Sequence, residues 1–126
     1  MPPSPSRPKP DPRRRAERAG RSAETLAGWL LRLKLYSIVA TRYKTPVGEI
    51  DIVAKKGRRI VFVEVKQRSG SRSARDQALA SVNTARIVRC AEWFQSAHPA
   101  YQGYDFRFDV ITLAPGRWPH HLVNAF

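Results

Sequence analysis

The chain has 126 residues, the size of one domain, and its 23 Lys and Arg against 10 Asp and Glu give a formal net charge of +13. A hydrophobic content of 42% supports a buried core and excludes wholesale disorder. The single cysteine, Cys90, excludes an internal disulfide framework and a cysteine-rich zinc finger, and no apolar run approaches the ~20 residues that span a bilayer. The first fifteen residues hold no apolar block for a secretion leader. The expectation is therefore a soluble cytoplasmic protein with no membrane partner, whose charge suits a polyanion.

Six of the ten prolines fall in the first twelve residues, where Arg7, Lys9, Arg13, Arg14 and Arg15 against Asp11 give +4. Proline at that density removes amide donors and blocks helix, so residues 1–15 read as a mobile basic arm and 16–126 as the folded domain. From Ala16 to about Leu35, residues Ala19, Ala23, Leu26, Ala27, Leu30, Leu31 and Leu33 recur at helical spacing. Gly28 inside that stripe costs ~1 kcal/mol relative to Ala. Tyr36 to Lys44 reads as a strand, Thr45-Pro46-Val47-Gly48 as a turn, and Glu49 to Lys55 as a second strand. Lys56-Gly57-Arg58 makes a tight connection to a third strand, Arg59 to Gln67. A Ser, Gly and Arg loop covers 68–75, and Ser73 with Asp76 resembles the start of a helix that His98-Pro99 closes near Ala97. Phe106 to Leu113 reads as a fourth strand and Leu122 to Phe126 as a short fifth. The order predicts an α/β or α+β domain with a mixed sheet flanked by helices.

Chemistry concentrates in Gly48-Glu49-Ile50-Asp51-Ile52-Val53 and Val61-Phe62-Val63-Glu64-Val65-Lys66. Strand alternation puts Glu49, Asp51 and Val53 on one face, with Ile50 and Ile52 on the other. In the third strand Phe62, Glu64 and Lys66 share a face. Ile60-Val61-Phe62-Val63 is apolar on both faces, the pattern of an internal strand, so Glu64 and Lys66 are costly unless paired or metal-bound. Pairing across the Gly57 turn brings Asp51 and Glu64 nearly opposite each other. Two carboxylates that close repel, and a divalent cation relieves the repulsion. All-oxygen ligation favours Mg²⁺ or Mn²⁺ over zinc. Lys66 would then stabilise charge on a phosphoryl oxygen or orient an attacking water. An ordinary solvent-facing Glu-Lys alternation has the same spacing; the apolar run and the Asp across the turn argue against it.

Asp51 followed by Glu64-Val65-Lys66 in an αβββαβ order resembles the PD-(D/E)XK nuclease superfamily with its restriction-endonuclease-like core. More narrowly, Gly20 to Phe126 resembles a family of small bacterial proteins, uncharacterised protein family 0102 (the YraN family). The pieces carrying the resemblance are Gly20 with Ala23-Glu24, Gly48-Glu49-Ile50-Asp51, Phe62 to Lys66 with Arg68, Arg107-Phe108-Asp109-Val110, and Asn124-Ala125-Phe126. The resemblance implies metal ligation by Asp51, Glu64 and the Val65 carbonyl, with Lys66 as catalytic lysine. Glu24 matches an extra acidic residue that resolvase-like relatives bring toward the metal; otherwise it is a surface carboxylate of an amphipathic helix. Ile50 stands where the superfamily has a nominal Pro. Arg86 stands where the family usually shows a lysine; on a packed stripe running from Val82 through Cys90 to Trp93, it calls for a phosphate or a carboxylate such as Asp109.

Arg68, Arg72 and Arg75 beside Lys66 place four positive charges within ten residues, in a loop suited to phosphate contacts. Arg107 and Asp109 are expected to form a structural ion pair, Cys90 to be a small buried hydrophobe, and His98, His120 and His121 to bind no metal. The function expected is a Mg²⁺- or Mn²⁺-dependent endonuclease. Its partner would be nucleic acid, with the Holliday junction resolvase likeness pointing to branched DNA. Cutting two strands needs two sites, which a homodimer would supply. The alternative is a non-catalytic nucleic-acid-binding module on the same fold.

Overall fold

The computed structural model describes residues 12–67 and 83–126, with side chains described from Ser22 onward. In chain order it contains helix α1 (Pro12–Leu33), strands β1 (Ser37–Thr45), β2 (Gly48–Lys56) and β3 (Arg59–Gln67), and helix α2 (Thr84–Ala97). A 3-10 turn (Pro99–Tyr101), β4 (Asp105–Leu113) and β5 (His120–Leu122) follow. The strands form one sheet in sequence order; β3 and β4 run parallel and the other neighbours antiparallel. This mixed sheet with two helices is an α+β fold consistent with a restriction-endonuclease-like core.

The two helices cover opposite faces. Ala23, Ala27 and Leu31 of α1, spaced four apart, pack on Ile52, Ala54, Val61, Val63, Ile111 and Leu113. Cys90, Ala91 and Phe94 of α2 pack on Val53, Ile60 and Phe62. Val61 and Phe62 are neighbours on opposite sides of β3, so the central strand is apolar on both faces because both are covered. The buried stripe of α1 is narrower than its sequence periodicity: Leu26 and Leu33 are exposed together with Trp29. Trp93 is likewise exposed, outside the α2 stripe of Ile87, Cys90, Ala91 and Phe94.

Three boundaries and one strand face differ from the sequence reading. Helix α1 begins at Pro12, inside the segment read as an arm, because proline in a first helical turn lacks only an amide with no intrahelical partner. Residues 1–11 lie outside the described residues. Helix α2 starts at Thr84, where Asn83 has non-helical dihedrals and its Oδ1 accepts the Arg86 amide at 3.1 Å. Of the helix expected from Ser73 to Ala97, the stretch before Asn83 lies outside the described residues. The fifth strand is His120–Leu122 rather than 122–126, because Asn124 turns the chain with φ 53° and its amide donates to Asp109 Oδ1 at 2.9 Å. Lastly, Ile50 packs with Val53 and Cys90 rather than with Ile52. Strict alternation fails there beside Arg42 of β1, whose φ of 50° interrupts the regular pleat of the neighbouring strand.

Helix α1 ends in a left-handed cap. The Tyr36 amide donates to Leu31 O and the Leu35 amide to Arg32 O, both at 2.9 Å, with Leu35 at φ 71°. A glycine is unstrained in that conformation and leucine is not. Leu35 is 80% exposed, so it gains no packing in return. Leu35→Gly is expected to raise stability by about 1 kcal/mol in a urea titration.

The expected ion pair of Arg107 and Asp109 is present, at 2.7 and 2.8 Å, in a larger network. Asp109 is fully buried and also contacts His121 Nε2 at 2.6 Å, so one carboxylate ties β4 to β5 and to the C-terminal turn. Burial alone would push its pKa up, but hydrogen bonds from His121, Arg107 and Asn124 outweigh it and hold the carboxyl below its ordinary 3.8. The resulting stabilisation is complete above the ordinary value and is lost as pH falls through the depressed one. Asp109→Ala leaves the guanidinium without its buried partner, and denaturation should show a loss of about 3–5 kcal/mol at neutral pH. That difference should shrink below about pH 3.8.

Candidate active site

The β2–β3 ladder pairs Lys56 with Arg59 and runs back to Ile52 with Val63. One step further, the same register sets Asp51 against Glu64, and there a carboxylate replaces backbone pairing: Asp51 Oδ2 accepts the Val65 amide at 2.8 Å. The short turn of the sequence therefore does bring the two acids together. They line a cleft of about 640 Å³ with Val65, Lys66 and, from α2, Arg86.

Glu64 is 8% exposed, and its Oε1 is a buried oxygen without a hydrogen-bond partner. Burial first, and the Asp51 charge second, push its pKa up to about 8, against the opposing pull of Lys66. Burial also raises the Asp51 carboxyl, opposed by the Val65 amide and reinforced by the charge of Glu24. The pair is a store of unfavourable electrostatics that one more positive charge would relieve.

Glu24 of α1 lies close enough to influence Asp51 but is held by Arg42, whose Nε donates to Glu24 Oε2 at 2.7 Å. That bond, ahead of the charges of Glu49 and Asp51, holds the Arg42 pKa above its ordinary value. Among the described residues, no three His, Cys, Asp or Glu side chains form a ready metal cage. Arg42 is the site residue that the sequence reading missed. It lies between the Thr41–Ile52 and Tyr43–Ile50 pairs, directly across from Asp51. Its only signal was an arginine inside a strand, which gives no register.

Arg86 is exposed rather than part of a packed stripe, and Asp109 is engaged by Arg107, His121 and Asn124 instead. Its aliphatic stem crosses Gly48, where an added Cβ would meet Arg86 Cδ at 3.0 Å and Cys90 Sγ at 3.1 Å. Gly48 has φ 152°, so both space and dihedral call for glycine. Arg68, Arg72 and Arg75 lie outside the described residues. Cys90 is buried as expected, and His121 serves Asp109. No helix among the described residues is long and apolar enough to cross a membrane.

The fold is that of an α+β domain consistent with a restriction-endonuclease-like core, with paired acids on adjoining strands. The model of uncharacterised protein family UPF0102 matches residues 23–113, and the chain belongs to that family, also called the YraN family. Curated UPF0102 proteins of Parvibaculum lavamentivorans and Erythrobacter litoralis are each 47% identical to it, over 88% of this chain and 83% and 94% of their own lengths. The UPF0102 protein of Rhodopseudomonas palustris is 46% identical over 98% of this chain and 93% of its own.

Two substitutions read the site's energetics. Gly48→Ala should cost about 1–3 kcal/mol by overpacking against Arg86 and Cys90, measured by thermal or urea denaturation. Above pH 8, where the Glu64 carboxyl is ionised, Glu64→Gln should stabilise the protein by about 1 kcal/mol in a denaturant titration, because it removes the repulsion with Asp51. The sign follows from the raised carboxyl: folding retains its proton, so stability falls as pH rises from the ordinary 4.5 through about 8. The gain from Gln should therefore be largest above pH 8.

Proposed function

We propose that the protein is a Mg²⁺- or Mn²⁺-dependent nuclease that hydrolyses phosphodiester bonds, with branched DNA as the preferred substrate. The observation carrying this reading is the Asp51–Glu64 pair, with its unpartnered Glu64 Oε1 and Lys66 two residues on in an open cleft. An all-oxygen donor set with one buried open acceptor fits a hard cation. Mg²⁺ commonly takes one or two carboxylates and keeps several waters, so two acids suffice. Asp51 and Glu64 would hold it, with the Val65 carbonyl. A bound cation would supply Lewis-acid polarisation of the phosphate and lower the pKa of water.

The chain's own residues do the rest. Lys66 lines the same cleft and its charge acts on both acids, so it would orient the attacking water or steady charge on a phosphoryl oxygen. Water adds to phosphorus as one P–O ester bond breaks, and the proton that water loses balances the departing alkoxide. Arg86, exposed at the mouth of the cleft, is placed to contact the adjoining phosphate. Arg68, Arg72 and Arg75 follow Lys66 in sequence and are assigned to the same backbone. Glu24 would join the metal on release from Arg42.

A second reading, a nucleic-acid-binding module without turnover, is favoured by the Glu24–Arg42 ion pair, which occupies the third carboxylate. One experiment separates the two: labelled four-way junctions, flaps, duplexes and single strands incubated with Mn²⁺. The nuclease reading expects cutting that EDTA stops and that Asp51→Ala or Lys66→Ala reduces at least about 10²-fold. Cutting that survives both substitutions overturns it, and tight binding without cutting, indifferent to Asp51→Ala, establishes the second reading.

A further inference from the structure

The end of the sheet remote from the two acids carries its own concentration of positive charge. The β2–β3 turn reads Lys55-Lys56-Gly57-Arg58-Arg59, and the five residue steps of β2 from Asp51 to Lys56 span about 17 Å. These cations are seated on aromatic rings. Lys56 Nζ lies 5.0 Å from the Tyr36 centroid and Arg58 Cζ 4.9 Å from that of Tyr104. Lys55 Nζ stands 5.6 Å from Tyr104 and 5.9 Å from Tyr101. Ring faces fix such cations in place without neutralising them.

Carboxylates do little here. Asp105 reaches Arg59 only at 4.0 Å between exposed side chains, and among the described residues no ion pair holds Lys55, Lys56 or Arg58. The Arg58 carbonyl accepts the Asp105 amide at 2.9 Å, which fastens the turn to the start of β4. Between Tyr36, Lys56 and Arg58 lies a polar hollow of about 440 Å³. Arg107 also borders it, but Asp109 already answers that charge, so the open charge belongs to the turn.

We propose that this turn is a docking site for the phosphodiester backbone of a nucleic-acid segment lying outside the carboxylate cleft. The choice of nucleic acid over an anionic lipid surface rests on the nuclease reading; the site itself does not. The Arg58 guanidinium, seated over the Tyr104 ring, has paired donors for a phosphate, Lys56 adds a point charge, and the hollow between them admits the anion. Contacts of this kind position a substrate and read no base sequence. The turn therefore adds affinity equally across sequences and anchors an arm of substrate away from the scissile bond.

The test measures anisotropy of a labelled DNA duplex with the full chain, in EDTA, across a salt series. Lys56→Gln with Arg58→Gln should weaken binding about tenfold and flatten the slope of log K against log salt by about 1.8, the loss of two phosphate contacts. Arg89→Gln with Arg117→Gln removes the same net charge from exposed positions elsewhere and should change both readings far less. Unchanged far-UV circular dichroism and denaturation midpoint establish that the turn variant is folded. Equal losses in both variants, or no loss in the turn variant, overturn the proposal. So does turn-dependent binding to phosphatidylserine vesicles without binding to the duplex. Because the assay contains no metal, turn-dependent binding by a chain that never cuts supports the docking site while the nuclease reading falls. Cutting by a chain whose turn variant binds normally does the reverse.

Discussion

Two carboxylates forced together where a hairpin ladder ends are the constraint around which this structure is arranged. Asp51 and Glu64 fall opposite each other because the tight turn at Gly57 fixes the register of β2 on β3. Glu64 is held buried on β3, the middle strand of the sheet with α1 on one face and α2 on the other, while Asp51 is half-buried beside it. The Val65 amide satisfies one oxygen of Asp51, and Lys66 offsets part of the repulsion, but Glu64 Oε1 remains open. Leaving such a group buried costs about 1–3 kcal/mol.

Asp109 makes the contrast plain. It is more deeply buried than Glu64, yet its oxygens meet a guanidinium, an imidazole and a backbone amide. Burial raises both acids. For Asp109 the donors outweigh it, and for Glu64 a second acid adds to it. One carboxylate is a clamp between strands; the other keeps an oxygen without a hydrogen-bond partner. Both are buried carboxylates, and their partners decide the direction in which each is shifted.

Charge is distributed with the same economy. The acids sit at one end of β2 and β3, and the cations of the connecting turn at the other, seated on Tyr36, Tyr101 and Tyr104. The two sets of charge are therefore separated along the sheet. Near the acids, Arg42 occupies Glu24 and Arg86 lies across Gly48, so the nearby cations already have defined seats.

The sequence by itself determined the element types, the apolar central strand, the Gly48 turn and the convergence of Asp51 with Glu64, since strand period and a short turn are local and carry register with them. It also carried the family, through several separated motifs in order. Other features depended on tertiary structure. Whether Leu26 and Leu33 join the core depended on which part of α1 meets the sheet. The engagement of Asp109 by His121 rather than Arg86 depended on β5 folding back on β4. Arg42 came to lie across from Asp51 through the pairing of β1 with β2, whose register shifts between Ile38 and Ala40. A pattern of residues predicts which side chains share a face of one element. Which charges meet across elements depends on register, bulges and left-handed residues, and these are decided only when the whole sheet is packed.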